Sequence, residues 1–351
     1  MTATDVTRLR RWLAAMTLCA APVPAAATPG TGAVVQDALR AAGPQAAHLL
    51  DLWRLTLAIC TLVFIAVVAV LLLALRRAPR GAQDTPPSHL AHRPEPGPTR
   101  SVVAGATVSL VLLFLLLVAS VYTDRVLASL PRDGELRVEL IGHRYWWEMR
   151  YLDPDVSRRF VTANELHVPT GRPVTVTLKA DDVIHSYWVP NLVGKKDMIP
   201  GRTTTLSVRA DRDGVYRGQC AEFCGAQHSW MALLVVAESP ERYEAWAEAQ
   251  RRVPAPPQDS ERRRGLDLFV NGPCAMCHAV RGTTANAQTG PDLPHLASRR
   301  TLGAGRLERN ADLLGQWISD PQRYKPGVNR PGHALPPGDL RALVAYLESL
   351  Q

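Results

Sequence analysis

Two long apolar runs near the start of the chain restrict its architecture most. Leu55–Leu75 and Val102–Val121 each hold about 20 residues without a charged side chain, the length needed to cross roughly 30 Å of hydrocarbon. A helix in the core of a soluble protein seldom stays apolar on every side for so long. The sequence therefore predicts a hairpin of two transmembrane helices, at about residues 53–75 and 101–123.

The charges beside these runs predict their orientation. Five arginines but only two carboxylates, Asp84 and Glu95, lie between the two runs. An excess of basic residues is typical of short cytoplasmic loops. We therefore expect everything after Tyr122 to lie on the outer face of a bacterial cell membrane.

The first residues have the composition of a signal peptide. Arg8, Arg10 and Arg11 precede a short apolar segment, Trp12–Ala21, and the alanines at 25–27 offer a cleavage site. We predict a signal peptide over residues 1–27. The N-terminal segment and the two membrane helices then occupy residues 28–130.

Overall composition narrows the class of protein further. The chain has 351 residues, a formal net charge of +8 and 46% hydrophobic residues, which is not a disordered composition. Its arginines are scattered and concentrate beside apolar runs, so we expect no nucleic-acid partner. Its length predicts two domains or slightly more.

Strand-like segments after the membrane hairpin predict a β domain over residues 131–240. Apolar and polar residues alternate over residues 135–142, 173–180 and 203–210, residues 231–237 form a β-rich apolar run, and turn residues lie between these segments. Several short strands at this spacing favour an antiparallel Greek-key sandwich or barrel. A helix at 241–252 and a proline-rich stretch then form a linker over residues 241–262.

Residues 263–351 change to helix and loop. Residues 311–320 and 338–350 have apolar faces at helical spacing. This predicts a small all-α domain, and so a multi-domain chain.

The segment QCAEFCGAQHSWM, residues 219–231, concentrates soft ligands. Cys220, Cys224, His228 and Met231 suit copper, and His185 at an earlier strand end can complete the set. A disulfide leaves the histidine and methionine unexplained, and a plain zinc site is the other alternative. Two cysteines permit two copper ions bridged by both thiolates, which is the site we predict.

The segment CAMCH, residues 274–278, is the attachment signature of c-type haem. Cys274 and Cys277 would form the thioether bonds, and His278 would be the proximal ligand of the iron. A thioredoxin-like motif is the alternative, but no βαβ pattern follows it. We therefore predict haem c.

These motifs together carry a family resemblance. HSYWVPNLVGKKDMIPG (185–201), GQCAEFCGAQHSWM (218–231) and GHRYWWEMRY (142–151) resemble the CuA domain of cytochrome c oxidase subunit II. The part after residue 262 is similar to a small class I cytochrome c, as in caa-type oxidases. The resemblance covers the chain from about residue 35 onward and implies a cupredoxin-like fold for the β domain.

The resemblance also implies roles for single residues. The side chain of Glu222 would bind magnesium at the boundary with subunit I. The aromatic stretch of Tyr145, Trp146 and Trp147 would carry electrons, although packing in the sandwich core explains these rings equally well. His167 receives no ligand role. The implied copper ligands are His185, Cys220, Cys224, His228, Met231 and the backbone carbonyl of Glu222.

One position departs from the cytochrome pattern. Such domains use a methionine as the sixth iron ligand, in a loop that here reads KPGVNRPGHALPP, residues 325–337. Arg330 stands in the place of that methionine, and no methionine follows Met276. We expect His333 as the distal ligand, or an open site, with His295 as a further possibility. Loss of the thioether should lower the reduction potential.

The function implied is that of an electron-entry subunit. Electrons from an external donor, a cytochrome c or a quinol-oxidising complex, would pass through the haem and the copper pair to subunit I. Dioxygen reduction would take place there, with other oxidase subunits also as partners. The alternative is a membrane-anchored electron carrier or copper-handling protein that acts without an oxidase.

Overall fold

A computed structural model describes residues 33–77, 96–131 and 134–351. The predicted signal peptide and the segment 78–95 lie outside the described residues. Two long helices come first: α1 spans Pro44–Arg77 and α2 spans Pro96–Ala128. Both contain an apolar stretch long enough to cross a membrane, and these stretches are unburied within the chain. Both helices are longer than predicted; at 1.5 Å per residue, α1 measures about 51 Å and extends beyond the hydrocarbon.

The start of α1 is attached to the β domain. The N–H of Ala42 donates to the carbonyl of Asn191 at 2.7 Å, and the N–H of Ala46 donates to that of Leu192 at 3.1 Å. The side chain of Asn191 donates to the carbonyl of Arg40 at 2.8 Å. The first membrane helix therefore begins on the surface of the domain that follows the second one.

Among the described residues, eleven strands belong to the β domain, and the first of them precedes α1. In chain order they are β1 (Val34–Val35), β2 (Leu136–His143), β3 (Trp146–Leu152), β4 (Phe160–Ala163), β5 (Glu165–Pro169), β6 (Val174–Ala180), β7 (His185–Val189), β8 (Val193–Met198), β9 (Thr204–Val208), β10 (Gly214–Gln219) and β11 (Ala232–Glu238).

Two sheets form a sandwich. One has the order β4-β3-β2-β6-β9 and the other the order β1-β10-β11-β5, while β7 and β8 form a separate hairpin. Inward residues alternate along the strands, as in β6, where Val174, Val176 and Leu178 are fully buried. This alternation is the pattern that predicts a half-buried strand.

The pairing is mixed and not antiparallel throughout. β1 with β10, β11 with β5, and β2 with β6 are parallel pairs; Val138 lies opposite Val176 in the last of these. Between β2 and β6 the chain passes through β5 in the other sheet. A strand that returns after such a crossing can run parallel to its neighbour, which a tight hairpin cannot achieve.

A helical domain follows. Its helices are α3 (Pro240–Arg251), α4 (Ser260–Asn271), α5 (Ala311–Ser319) and α6 (Pro337–Leu347), with a short hairpin of β12 (Thr301–Leu302) and β13 (Leu307–Glu308). Side chains of Ser239, Asp259 and Asn310 accept backbone N–H bonds at the starts of α3, α4 and α5.

The helical domain has its own apolar core. Phe269 of α4, Ile318 of α5 and Leu343 of α6 are each at least 97% buried and belong to one cluster. A Cβ on Gly265 would lie 2.0 Å from the carbonyl oxygen of Ala342, so α4 and α6 cross in close contact there. The predicted fold class, a membrane hairpin with a β-sandwich and a small all-α domain, is confirmed.

Candidate metal centres

The loop of residues 220–231 connects the antiparallel strands β10 and β11. The N–H of Cys220 donates to the carbonyl of Met231 at 2.9 Å and closes the base of the loop. The side chain of Gln219 donates to the carbonyl of His228 at 3.0 Å. Both ends of the loop are thereby fixed on the sandwich, which is a rigid support for a metal centre.

His185 reaches the loop from the start of β7. The N–H of Ala221 donates to the carbonyl of Ser186 at 3.0 Å and joins β7 to the loop. The ring of His185 is fully buried, with Nδ1 3.8 Å from Sγ of Cys220. A Cβ on Gly142 would lie 2.8 Å from that ring, so only glycine leaves room for it.

The predicted copper ligands lie together. Sγ of Cys220 is 3.8 Å from Sγ of Cys224 and 3.3 Å from the carbonyl oxygen of Glu222. Sγ of Cys224 is 3.8 Å from Nδ1 of His228 and 3.9 Å from Sδ of Met231. Two ligands of one tetrahedral ion, at about 2.0–2.3 Å from it, lie roughly 3.3–3.8 Å apart, so these separations suit donors around metal ions.

The two alternatives for this loop fit less well. A disulfide has an S–S length of about 2.05 Å, far below the 3.8 Å between these sulfur atoms. A structural zinc site uses four ligands, whereas six donor atoms converge here. Two thiolates, two imidazoles, a thioether and a carbonyl are a soft donor set that suits a pair of copper ions.

Ionisation of the two thiols is coupled. The hydrogen bond from Cys224 lowers the pKa of Cys220 to about 3, against the effect of burial and with support from His185. The same bond raises the pKa of Cys224. Both sulfur atoms can therefore be thiolates together only with positive charge beside them, which bound metal ions provide.

Asp182 belongs to this centre, although the sequence did not reveal it. Its Oδ1 lies 2.9 Å from Nε2 of His185, and its Oδ2 accepts the N–H of Arg144 at 2.7 Å. These hydrogen bonds outweigh burial and lower the pKa of Asp182 to about 2. The carboxylate holds the proton of His185 on Nε2 and so presents Nδ1 toward the sulfur atoms.

The CAMCH segment forms a turn after α4. The N–H of His278 donates to the carbonyl of Cys274 at 3.0 Å, and Nδ1 of its ring donates to the carbonyl of Pro291 at 2.8 Å. Burial lowers the pKa of His278 to about 4, so the ring is neutral at pH 7. With Nδ1 occupied, Nε2 is the nitrogen left to bind iron.

A cavity of about 380 Å³ opens beside this turn. Its apolar wall comes from all parts of the helical domain and includes Phe269, Leu296, Leu314 and Ile318. Cys274 and Cys277 are free thiols that line it. A flat apolar macrocycle attached through both thiols fits such a cavity.

Four cations also line the cavity: Arg144, Arg299, Lys325 and Arg330. Among the described residues, Nε of Arg299 has no hydrogen-bond partner although it is buried. An unpaired buried donor requires a partner. The two carboxylates of a haem would supply it, so the polar part of the cavity also fits this group.

The residues predicted on the distal side have distinct positions. Nη1 of Arg330 donates to the carbonyl of Trp317 at 2.7 Å, and its guanidinium carbon lies 5.5 Å from the centre of the Trp317 ring. His333 also lines the cavity, and its N–H donates to the carbonyl of Ile318 at 3.1 Å. His295 is buried but is not among the described residues that line the cavity.

The aromatic stretch lies between the two centres. Tyr145 and Trp146 line the cavity from the side of the β domain. A Cβ on Gly225, next to Cys224, would lie 2.6 Å from the Tyr145 hydroxyl. Trp147 is fully buried, with its ring centre 6.0 Å from that of His185. Tyr145 and Trp147 pack in the sandwich core, and Tyr145 lies both at the cavity and against the copper loop.

The backbone carbonyl and the side-chain carboxylate of Glu222 point in different directions. Its carbonyl faces the sulfur atoms, whereas its carboxylate lies 3.2 Å from Nζ of Lys195, with 42% of the side chain exposed. Beside it, Phe223 is 75% exposed. The tip of the loop is therefore an open, partly apolar surface.

Comparison with known proteins gives a family match for each of the two soluble domains. Residues 140–238 match the family model "Cytochrome C oxidase subunit II, periplasmic domain", and residues 263–351 match "Cytochrome c". Cytochrome c oxidase subunit 2 of Alkalihalophilus pseudofirmus is 32% identical over 90% of each chain. That of Bacillus subtilis is 31% identical over 70% of this chain and 73% of its own.

Among solved structures, the periplasmic domain of subunit II of the cytochrome oxidase of Bradyrhizobium japonicum is 26% identical. That match covers 35% of this chain and 96% of the other, with a TM-score of 0.32.

Proposed function

The chain belongs to the cytochrome c oxidase subunit II family, and we propose that its two centres act in series as the path of electron entry. It is a membrane-anchored subunit of a haem-copper terminal oxidase, with its soluble domains outside, and it works with subunit I. When bound, haem c and the copper pair supply one-electron chemistry. The residues of this chain would hold both groups close together, and hydrogen bonds would set the protonation of the ligand side chains.

One observation carries the proposal: the haem cavity and the copper site share a wall. Asp182 lines the cavity and at the same time accepts the hydrogen bond of His185. Tyr145 lines the cavity and packs against Gly225, next to Cys224. Electron transfer slows steeply with distance, so single side chains between the two sites favour rapid exchange.

The exposed surfaces support a direction for the path. Met276, between the two haem cysteines, is 72% exposed, which offers the cytochrome domain to an external donor such as a cytochrome c or a quinol-oxidising complex. The tip of the copper loop at Glu222 and Phe223 is exposed on its own side. We propose that subunit I covers that tip.

Photoreduction of the assembled oxidase tests the order of the path. A covalently attached ruthenium dye would reduce the haem domain, and absorbance would follow haem and copper separately. We expect the haem to be reduced first and to be oxidised again as the copper pair is reduced, at a rate independent of protein concentration. Reduction of copper that does not depend on the haem would contradict the series arrangement.

We also propose that the Glu222 carboxylate binds magnesium at the boundary with subunit I. Its exposure and its position at the loop tip support this, and its bond to Lys195 must then be exchanged for the ion. A hard divalent cation prefers carboxylate oxygens. Replacement of magnesium by Mn²⁺ in the intact oxidase should give a paramagnetic signal that Glu222→Gln weakens; an unchanged signal would exclude the role.

For the iron, we propose His278 as proximal ligand and a distal side without methionine, where either His333 binds or the site is open. Arg330 is held by Trp317 and is a poor ligand in any case, because its guanidinium stays protonated. His333 lines the same cavity and is the nearest candidate along the loop.

A further inference from the structure

Lys325 is the most unusual buried charge in the described part of the chain. It is 1% exposed, yet it forms no ion pair with any described carboxylate. Its Nζ donates instead to two backbone carbonyls, of Tyr145 at 3.3 Å and of Gly303 at 3.0 Å. Burial of an ammonium group without a carboxylate is costly, so this arrangement calls for an explanation.

The two carbonyls belong to different domains. Tyr145 lies in the β domain, beside the copper loop, and Gly303 lies in the β12–β13 turn of the cytochrome domain. Lys325 itself follows α5 and lines the haem cavity. A single ammonium group therefore connects the wall of the haem cavity to the segment that packs on the copper loop.

Neighbouring contacts extend this connection. The side chain of Gln227, within the copper loop, donates to the carbonyl of Pro326. The N–H of Ala232, at the end of that loop, donates to the carbonyl of Ala304 at 3.0 Å. The guanidinium carbon of Arg306 lies 4.5 Å from the centre of the Trp230 ring. Residues 303–306 and 325–327, here called the docking segments, thus lie directly on the copper loop.

The charge of Lys325 lies close to both predicted centres, because the residue lines the haem cavity and interacts electrostatically with Cys224. Burial lowers the pKa of Lys325 to about 8, still above neutral pH, and Nζ acts as a donor to both carbonyls. A positive charge in a weakly screened interior stabilises the reduced, more negative form of any nearby redox centre. The two centres share this charge because Lys325 lies between the cavity and Cys224.

We propose that Lys325 is a positioning residue for electron transfer between the domains: its ammonium group holds the haem cavity against the copper loop and raises the reduction potentials of both centres. This rests on the series path proposed above. Nothing in it requires Lys325 to bind iron, copper or a substrate.

Three variants in the full oxidase complex test the proposal. Lys325→Met removes both the charge and the hydrogen bonds, whereas Lys325→Gln removes the charge and keeps an N–H donor. Arg323→Met removes an exposed charge from the same loop and serves as the matched control. Haem and copper content, measured first, identify any variant that has failed to assemble.

For Lys325→Met we expect the haem-to-copper rate after photoreduction to fall about tenfold or more, because the centres are no longer held in place. Both midpoint potentials should shift downward, and amide hydrogen exchange should rise in the docking segments. Lys325→Gln should recover much of the rate but keep the lowered potentials. Arg323→Met should leave all three readouts unchanged.

Two outcomes would overturn the proposal. One is a fully loaded Lys325→Met complex with unchanged rate and potentials; the other is a drop in potential no larger than that of Arg323→Met. If the wild type itself shows no transfer from haem to copper, the series path fails instead. The potentials and hydrogen exchange of the variants still report on Lys325 in that case.

Discussion

At the scale of single residues, the function depends on groups that touch no metal. Asp182 fixes the tautomer of His185, and Pro291 fixes that of His278 through its carbonyl. In both centres a hydrogen bond to one ring nitrogen determines which nitrogen is free to act as a ligand. Such partners contribute to metal affinity although they never contact the ion.

Replacement of Asp182 by asparagine should weaken copper binding about 10- to 100-fold. The amide keeps the shape of the side chain but loses the negative charge that holds His185 and the N–H of Arg144. Copper retained during graded chelator dialysis measures the effect.

Asp181→Asn is the matched control, since Asp181 is 70% exposed and pairs with His143 and not with a copper ligand. We expect it to retain copper like the wild type. Equal retention by Asp182→Asn would show that the carboxylate is dispensable.

Arg330 provides a second prediction at this scale. In the oxidised wild type, the sulfur-to-iron charge-transfer absorption should be absent and the haem potential low, because Arg330 takes the place of the distal methionine and the methionine at the cavity, Met276, lies between the two haem cysteines. Arg330→Met should create that absorption and raise the potential. Optical spectra during a redox titration measure the absorption and the haem potential. A sulfur-to-iron absorption in the unmodified protein would disprove a distal side without methionine.

At the scale of elements, the β2–β3 hairpin carries a buried charge network beside the haem cavity. Glu148 of β3 is 5% exposed, and its Oε2 lies 3.0 Å from Nε2 of His143 in β2. Its Oε1 accepts from Nε of Arg150 at 2.5 Å. His143 also stacks on Trp146, with ring centres 4.4 Å apart, so the network supports the wall of the cavity.

The stability contributed by Glu148 should depend on pH. Burial raises the pKa of this carboxyl, but the bonds from His143 and Arg150 outweigh it and lower the pKa below the ordinary 4.5. The stabilisation is therefore present above about pH 4.5 and is lost as the pH falls through the lowered value. Glu148→Gln should cost about 1 to 2 kcal/mol at pH 7 and progressively less in acid.

Thermal unfolding of the purified chain between pH 3.5 and 7 measures this difference. Glu244→Gln is a suitable control, since that carboxylate is 55% exposed and its distance to Arg158 is 4.0 Å. A difference in stability between wild type and Glu148→Gln that grows as the pH falls would contradict a lowered pKa of Glu148.

Elements differ in how far the sequence predicts them. The four predicted segments became β2, β6, β9 and β11. In β6 buried and half-buried residues alternate, whereas β11 is buried along nearly its whole length, as a continuous apolar run predicts. β7, which carries His185, is almost entirely buried and has no such alternation. The parallel pairings depend on crossings between sheets, which no local pattern records.

The residues of the two metal centres also differ in how far the sequence predicts them. Ligands that share one loop, such as Cys220 and His228, are recognisable by spacing because the loop itself brings them together. Lys325 and Asp182 act through contacts with segments far away or through the direction of a side chain. The role of Asp182 follows from the fold of the β domain, whereas that of Lys325 arises only when the two domains are packed together.

At the scale of the whole molecule, the interface between the soluble domains determines how the centres face each other. Glu165 of β5 is 2% exposed, and its Oε1 accepts the N–H groups of Arg300 and Thr301 at 2.7 and 3.0 Å. This contact lies in the interface but apart from the docking segments. It holds the chain just before the β12–β13 turn.

Glu165→Gln should loosen the interface without a change of charge near the copper loop. We expect faster hydrogen exchange at Arg300 and Thr301 and a slower haem-to-copper rate, with copper potential unchanged. This pattern differs from that expected for Lys325→Met. If exchange at both amides stays as slow as in the wild type, Glu165 does not hold the interface.

The attachment of α1 has a mechanical consequence. Because β1 pairs with β10 and Ala42 is bonded to Asn191, the chain contacts the sandwich before α1 enters the bilayer. It enters the sandwich again after α2. A domain joined to its membrane helices by one flexible linker could rotate relative to the membrane. This one is also bonded to the start of α1, so we expect movement of α1 to be passed directly to the sandwich that carries the copper loop.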